Sequence, residues 1–253
     1  MPLYDFVPRR DNWYVWLPVL AALLLFPLLV RSEYILNIAV YAGIYIILTS
    51  SLNITNGYTG LFSFGHAAFY GIGAYTAAIL ATRLGLSFWL TLPLAGIVAG
   101  VFGAAIALPT LRLTGIFLAL VTIGFQEITY LVTLNWISLT RGPMGIPGIP
   151  PPAIGGVALS GNLGYYYLIL ALDVIVLVLL SRIVTSRVGR AFVAIREDEL
   201  AAQSAGIPTF RMKILSFVIA TFFAGIAGAF FAPHARFVRA DSFRLAETFV
   251  LLP

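Results

Sequence analysis

Long apolar runs separated by short polar or glycine-rich breaks dominate this chain. The runs cover about residues 13–30, 34–54, 60–82, 88–109, 115–135, 163–181 and 211–232, and an eighth begins near Phe243. Each of the seven is long enough, at about 1.5 Å per residue, to cross all or most of a hydrocarbon core of ~30 Å. The pattern predicts an all-α, polytopic integral membrane protein with seven to eight spans, forming a single transmembrane domain over residues 1–253.

At two places the pattern fits two structures. The segment Tyr14 to Val30 follows Arg9 and Arg10 as a signal peptide would, but its apolar stretch is long and no small-residue cleavage site follows, so it is read as a retained helix. The stretch from Tyr34 to Leu84 is apolar almost throughout, broken chiefly by Asn53, Asn56, Gly57 and Gly60. Asn-Gly is a turn signal, and a broken or re-entrant helix is the alternative wherever protein or a cavity surrounds the backbone.

Composition supports the membrane reading. Of 253 residues, 60% are hydrophobic and only 10% charged, with a mean hydropathy of +0.98. A water-facing surface cannot be built from so few charges. The net charge of +5 comes from 15 Lys and Arg against 10 Asp and Glu, scattered between apolar runs, which does not make a nucleic-acid-binding stripe. Cysteine is absent, so disulfides and thiolate metal sites are excluded. With the N-terminus inside, 9 of the 15 basic residues fall on the cytoplasmic side, concentrated between Arg182 and Arg211.

Two connections carry more than turn chemistry. The external one, 136–162, is rich in Gly and Pro and is read as an ordered, non-regular cap. The internal one, about 190–206, has alanines and long charged side chains without proline, and predicts a short cytoplasmic helix. Arg196 and Glu199 stand three apart on its face and can pair, while Gly206 followed by Pro208 ends it.

No enzyme constellation is present. The only histidines are His66 and His234, and the run Glu197-Asp198-Glu199 reads as a solvated helix face. No Walker A or dinucleotide fingerprint occurs, so any nucleotide energy has to come from another chain. The ionisable residues within spans are His66, Glu127 and Asp173; such groups are costly in hydrocarbon and normally face a bundle interior, a partner or a water path. Glu127, beside Gln126, reads either as an interhelical hydrogen-bonding group or as part of a transport route. Asp173 reads as a neutral hydrogen-bonded acid or a functional anion, and His66 as an imidazole bonded across a helix interface or a substrate ligand. The glycines, hydroxyl and imidazole of Ser63 to Tyr75 argue for close backbone approach near a pore or pocket. The candidates for the substrate path are therefore Ser63, Gly65, His66, Gln126, Glu127 and Asp173.

Several stretches together resemble a known family. They are Ser51-Leu52-Asn53 with Gly57-Tyr58-Thr59-Gly60; Gly65-His66-Ala67-Ala68-Phe69 with Gly71-Ile72-Gly73-Ala74-Tyr75; Arg112-Leu113-Thr114-Gly115-Ile116 with Ala119-Leu120-Val121-Thr122; and Thr140-Arg141-Gly142 leading to Gly148-Ile149-Pro150. The run from Ser186 to Ile207 is the strongest. The chain resembles the permeases of ABC importers for branched-chain and other hydrophobic amino acids, and within them the M-type subunit. Ala201-Ala202-xxx-Gly206, preceded by Glu199, is similar to the signature in which a coupling helix docks on the ATPase, although Leu200 separates the acid from the alanines. The resemblance assigns ATPase coupling to Arg190, Arg196, Glu199, Ala201, Ala202 and Gly206.

The resemblance further implies a bacterial or archaeal inner (plasma) membrane location, a second homologous permease subunit forming a heterodimer, two cytoplasmic ATPase subunits that bind ATP and Mg, and an extracytoplasmic substrate-binding protein. It implies no cofactor in this chain. Family members continue into further C-terminal spans, which are expected to be missing from a chain ending at Pro253. The expected function is ATP-driven import of branched-chain or other hydrophobic amino acids by alternating access. Urea or short amides as cargo are the alternative on the same fold. A gradient-driven carrier using Glu127 or Asp173, and a membrane protein without transport, are the alternatives from other classes.

Overall fold

The structure is a computed structural model that describes residues 18, 21–27, 32–111, 113, 115–154, 157–159 and 161–243. Most of the first expected span, Arg112 and Thr114, and the expected eighth span after Phe243 lie outside the described residues.

The long helices are α1 Glu33–Asn53, continued by a π-helical turn Ile54–Tyr58, then α2 His66–Leu84, α3 Phe88–Thr110 and α4 Ile116–Asn135. A short α5 Ile137–Thr140 follows, then α6 Asn162–Thr185, the short pair α7 Arg187–Glu197 and α8 Glu199–Ser204, and α9 Thr209–Ala235. Among the described residues five helices are long and apolar enough to cross a membrane: α1 with its π turn, α3, α4, α6 and α9. Helix α2 has the length, 19 residues, but its His, Tyr, Thr and Gly content keeps it out of that set. It is enclosed by protein, with eleven residues buried, and six residues of the expected third span, 60–65, are not helical at all.

Helix α9 is the axis of the bundle. In its most apolar window 72% of residues are buried inside the chain, against 22% in α4 and in α6. A helix that is apolar all round and enclosed is a core helix, whereas α4 and α6 turn most of their apolar surface outward. Helices α1, α2 and α3 pack around α9. Glycines set the closest approach: a Cβ on Gly73 would strike the backbone of Gly225, and one on Gly228 would strike the carbonyl of Tyr70. Small residues at such crossings let the backbones meet, which is the main route to tight packing where lipid gives no hydrophobic drive.

The Gly/Pro-rich connection forms a cap with short strands. Strand β1 Ile146–Pro147 pairs antiparallel with β4 Phe237–Val238, and β2 Ala153–Ile154 pairs with β3 Val157–Ala158. Arg83, at the end of α2, donates to the carbonyls of Ser138 and Leu139 at 2.6 and 2.8 Å. The ends of α2, α4 and α9 are thereby tied together at this face. At the opposite end the chain expected to form one helix over about 190–206 is two helices, because Asp198 is extended (φ −157°, ψ 111°).

Candidate functional site

The break after α1 explains how a polar cluster comes to lie within the bundle. The π turn frees backbone carbonyls that side-chain and main-chain donors then meet: Thr59 Oγ1 donates to the carbonyl of Ile54 and Leu61 N to that of Thr55, both at 2.9 Å. Asn56 Oδ1 accepts from the Ser63 amide at 3.2 Å. Residues 59–65 are then non-helical until α2 begins at His66. The break therefore joins two successive long helices, with Gly57 and Gly60 against Arg196. Irregular backbone of this kind is tolerated where protein surrounds it and its polar groups find partners.

His66 is buried, and its Nε2 lies 2.9 Å from the buried Ser51 Oγ on α1. Ser51 is seven residues before Tyr58, which puts the pair roughly 10 Å inside the end of that helix. Gly65 packs against α4, where a Cβ would come within 2.8 Å of the Thr122 carbonyl oxygen. The amide of Phe64 donates to Thr122 Oγ1 at 3.0 Å. Ser63, Gly65 and His66 are therefore brought together, with Ser51, Asn56 and Thr122 as members outside the expected substrate path. Thr122 had a signal: it stands one helical turn before Gln126.

Gln126 is also buried, and its Nε2 donates to the main-chain carbonyl of Phe243 at 2.5 Å. Glu127 points elsewhere. It lies on the exposed face of α4 with Ile116, Leu120 and Ile128, and makes no hydrogen bond to the described residues of the bundle. Asp173 sits apart from both, buried at the contact of α6 with α1, where a Cβ on Gly43 would lie 2.9 Å from its Oδ2. Its Oδ1 has no hydrogen-bond partner among the described residues. The six path candidates thus fall into one connected region holding Ser63, Gly65, His66 and Gln126, and two isolated carboxylates.

The second candidate site is at the basic end. Ser186 Oγ caps α7 by accepting from the amides of Val188 and Gly189, at 3.1 and 3.5 Å. Asp198 Oδ1 caps α8 by accepting from the amides of Leu200 and Ala201, at 2.8 and 3.0 Å. Gly206, at φ +84°, ends the unit, where the Ile207 amide reaches back to the Ala202 carbonyl at 3.0 Å. A left-handed residue at that point favours glycine.

The break at Asp198 overturns the pairing of Arg196 with Glu199. Arg196 instead approaches Glu197 at 3.6 Å and donates to the carbonyl of Gly57 at 2.7 Å, its stem lying over Gly60. Glu199 pairs with the buried Lys213 of α9 at 2.5 Å. Arg190 is exposed and contacts the Thr185 carbonyl at 3.4 Å. Ala201 is exposed, but Ala202 is buried against the chain itself, so Ala202 supports the unit from beneath. The exposed apolar side chain here is Leu200, 76% accessible, which the sequence reading treated only as an interruption. A cavity of about 140 Å³ lies below, lined among others by Gly60, Leu118, Arg196, Glu199 and Lys213.

Comparison with known proteins adds an independent line. A sequence profile described as "Branched-chain amino acid transport system / permease component" matches residues 34–252. The chain is 39% identical over 239 residues to the protein called high-affinity branched-chain amino acid transport system permease protein LivM of Salmonella typhimurium, covering 85% of this chain and 56% of that protein. The figures for the Escherichia coli protein of the same name are equal: 39%, 85% and 56%. A probable branched-chain amino acid transport permease protein LivM from Methanocaldococcus jannaschii is 22% identical, over 81% of this chain and 69% of that protein. The chain spans about half the length of the two bacterial relatives. No solved structure matches.

Proposed function

Because the chain belongs to the permease-component family of branched-chain amino acid transport systems, we propose that it is the membrane-spanning subunit of an ATP-driven importer for branched-chain or other hydrophobic amino acids. The observation that carries this reading is the strapped pair α7 and α8. It stands between two spans, presents Leu200 and Ala201 outward, and is fixed to the bundle from below by Arg196 on Gly57 and Glu199 on Lys213. A short rigid unit of this kind can pass a rigid-body motion of an ATPase into the membrane, which a floppy linker cannot.

The partners follow from that role. Two cytoplasmic ATPase subunits bind ATP and Mg and dock on α8, with Leu200 entering a groove. A second, homologous permease subunit covers the outer face of α4, where the Glu127 carboxylate would otherwise meet hydrocarbon. An extracytoplasmic binding protein delivers the amino acid to the face capped by 136–162. The complex resides in a bacterial or archaeal plasma membrane, and this chain carries no catalytic residue and no cofactor. Alternating access is driven by the docked ATPase, and the Arg196–Gly57 contact relays its motion to the break that positions Ser51 and His66.

The test is co-purification in mild detergent. The ATPase is expected to come down with the unaltered chain and to be lost with Leu200→Asp, whose folded yield stays normal because the side chain touches little of its own chain. Retention of the ATPase by Leu200→Asp overturns the docking surface.

A further inference from the structure

After α9 the chain does not simply leave the bundle. Strand β4 pairs with β1, and the 3-10 turn Ala240–Phe243 then hooks back against α2 and α4. Phe243 is buried there among Tyr70, Tyr75 and Phe231, with ring centroids 5.1, 6.1 and 5.7 Å away, in the range of favourable aromatic packing. Gly71 forms the floor, where a Cβ would come within 3.0 Å of Phe243 Cγ. Gln126 meets the main-chain carbonyl of the same residue. An apolar side chain and the carbonyl next to it are thus recognised together.

Two polar atoms in this box are not used by Phe243. Gln126 Oε1 and the Tyr75 hydroxyl are buried and have no hydrogen-bond partner among the described residues. Buried polar atoms are rarely left so, and an orphan of this kind asks for an explanation. An α-amino acid supplies one: its carboxylate takes the place of the Phe243 carbonyl on Gln126 Nε2, its ammonium donates to Gln126 Oε1, and its carboxylate has a further donor in Tyr75.

We propose that the box around Phe243 is a binding site for apolar α-amino acids, and that Phe243 is its resident stand-in, displaced when cargo enters. This rests on the importer reading and adds where the cargo is held. It also sets the substrate class. The walls fit a leucine, isoleucine or phenylalanine side chain, while urea and short amides leave the aromatic surface unfilled.

The native chain has no cysteine, so Ser242→Cys puts a single thiol on the turn without altering the box. In the full transporter, reconstituted with its partner subunits and binding protein, leucine or phenylalanine is expected to change the labelling rate of that thiol severalfold. Urea and lysine are expected to leave it unchanged. Gln126→Leu should raise the leucine concentration for half-maximal response about tenfold, the order expected when hydrogen bonds to charged groups are lost. Gly71→Ala should weaken the phenylalanine response more than the valine response. ATP-driven leucine uptake by the unaltered transporter is the control. Uptake with no leucine effect on labelling, or equal effects of leucine and urea, overturns the site and leaves the importer reading standing. Absence of uptake beside an intact leucine response overturns the importer reading and leaves the site.

Discussion

Replacing Glu199 by Gln isolates what this carboxylate does. Its partner Lys213 has a side chain only 7% accessible, while Glu199 is 39% accessible. Breaking a fully buried pair costs roughly 3–5 kcal/mol because a charge is stranded, whereas exposed pairs contribute about 0–1 kcal/mol. With one partner sheltered and the other screened by solvent, the loss is about 2 kcal/mol. For a chain of this size, that lowers the unfolding midpoint by roughly 4–8 °C. The assay is thermal unfolding of the purified protein in detergent, followed by monodispersity. The double variant Glu199→Gln with Lys213→Met removes the stranded ammonium and should recover most of the loss, since the two changes act on one contact. A Glu199→Gln midpoint equal to that of the unaltered chain, or no recovery in the double variant, refutes the internal strut and returns Glu199 to a partner-facing role.

Other consequences follow from the packing and the break. Gly73→Val should abolish folded yield, because its side chain meets the Gly225 backbone with no room to yield; normal monodisperse yield would contradict that crossing. Asp173→Asn should cost no more than about 1 kcal/mol, the worth of a single hydrogen bond, since Oδ1 has no partner to lose; a larger drop in the midpoint would require an ionised, bonded carboxylate. Arg196→Ala should leave ATPase co-purification intact but reduce transport-coupled hydrolysis, because it removes the link to Gly57 and not the docking face; unchanged stimulated turnover would sink the relay.

The five apolar spans among the described residues were legible because a bilayer imposes length and apolarity on each helix separately, and neither depends on what the helix packs against. The break after α1 was legible too, through Asn53, Asn56, Gly57 and Gly60. The short helical stretch ahead of α9 was legible in position but not in form. The run Glu197-Asp198-Glu199 has helix-compatible residues, and only the capping preference of Asp198 ahead of Leu200 and Ala201 pointed to a new helix start. The pairing of Glu199 with Lys213 spans the Gly206 turn, so no local spacing announces it. Phe243 was less accessible still: its aromatic box draws on α2 and α9, while its carbonyl meets α4, contacts that arise only when the bundle assembles.

Uptake of labelled leucine into proteoliposomes tests ATP-driven import most directly, with the protein reconstituted beside its second permease, ATPase and binding protein. Uptake is expected to require both ATP and the binding protein, and to stop when either is withheld. Leucine uptake that persists without ATP and follows an imposed proton gradient would contradict the account and make this chain a gradient-driven carrier.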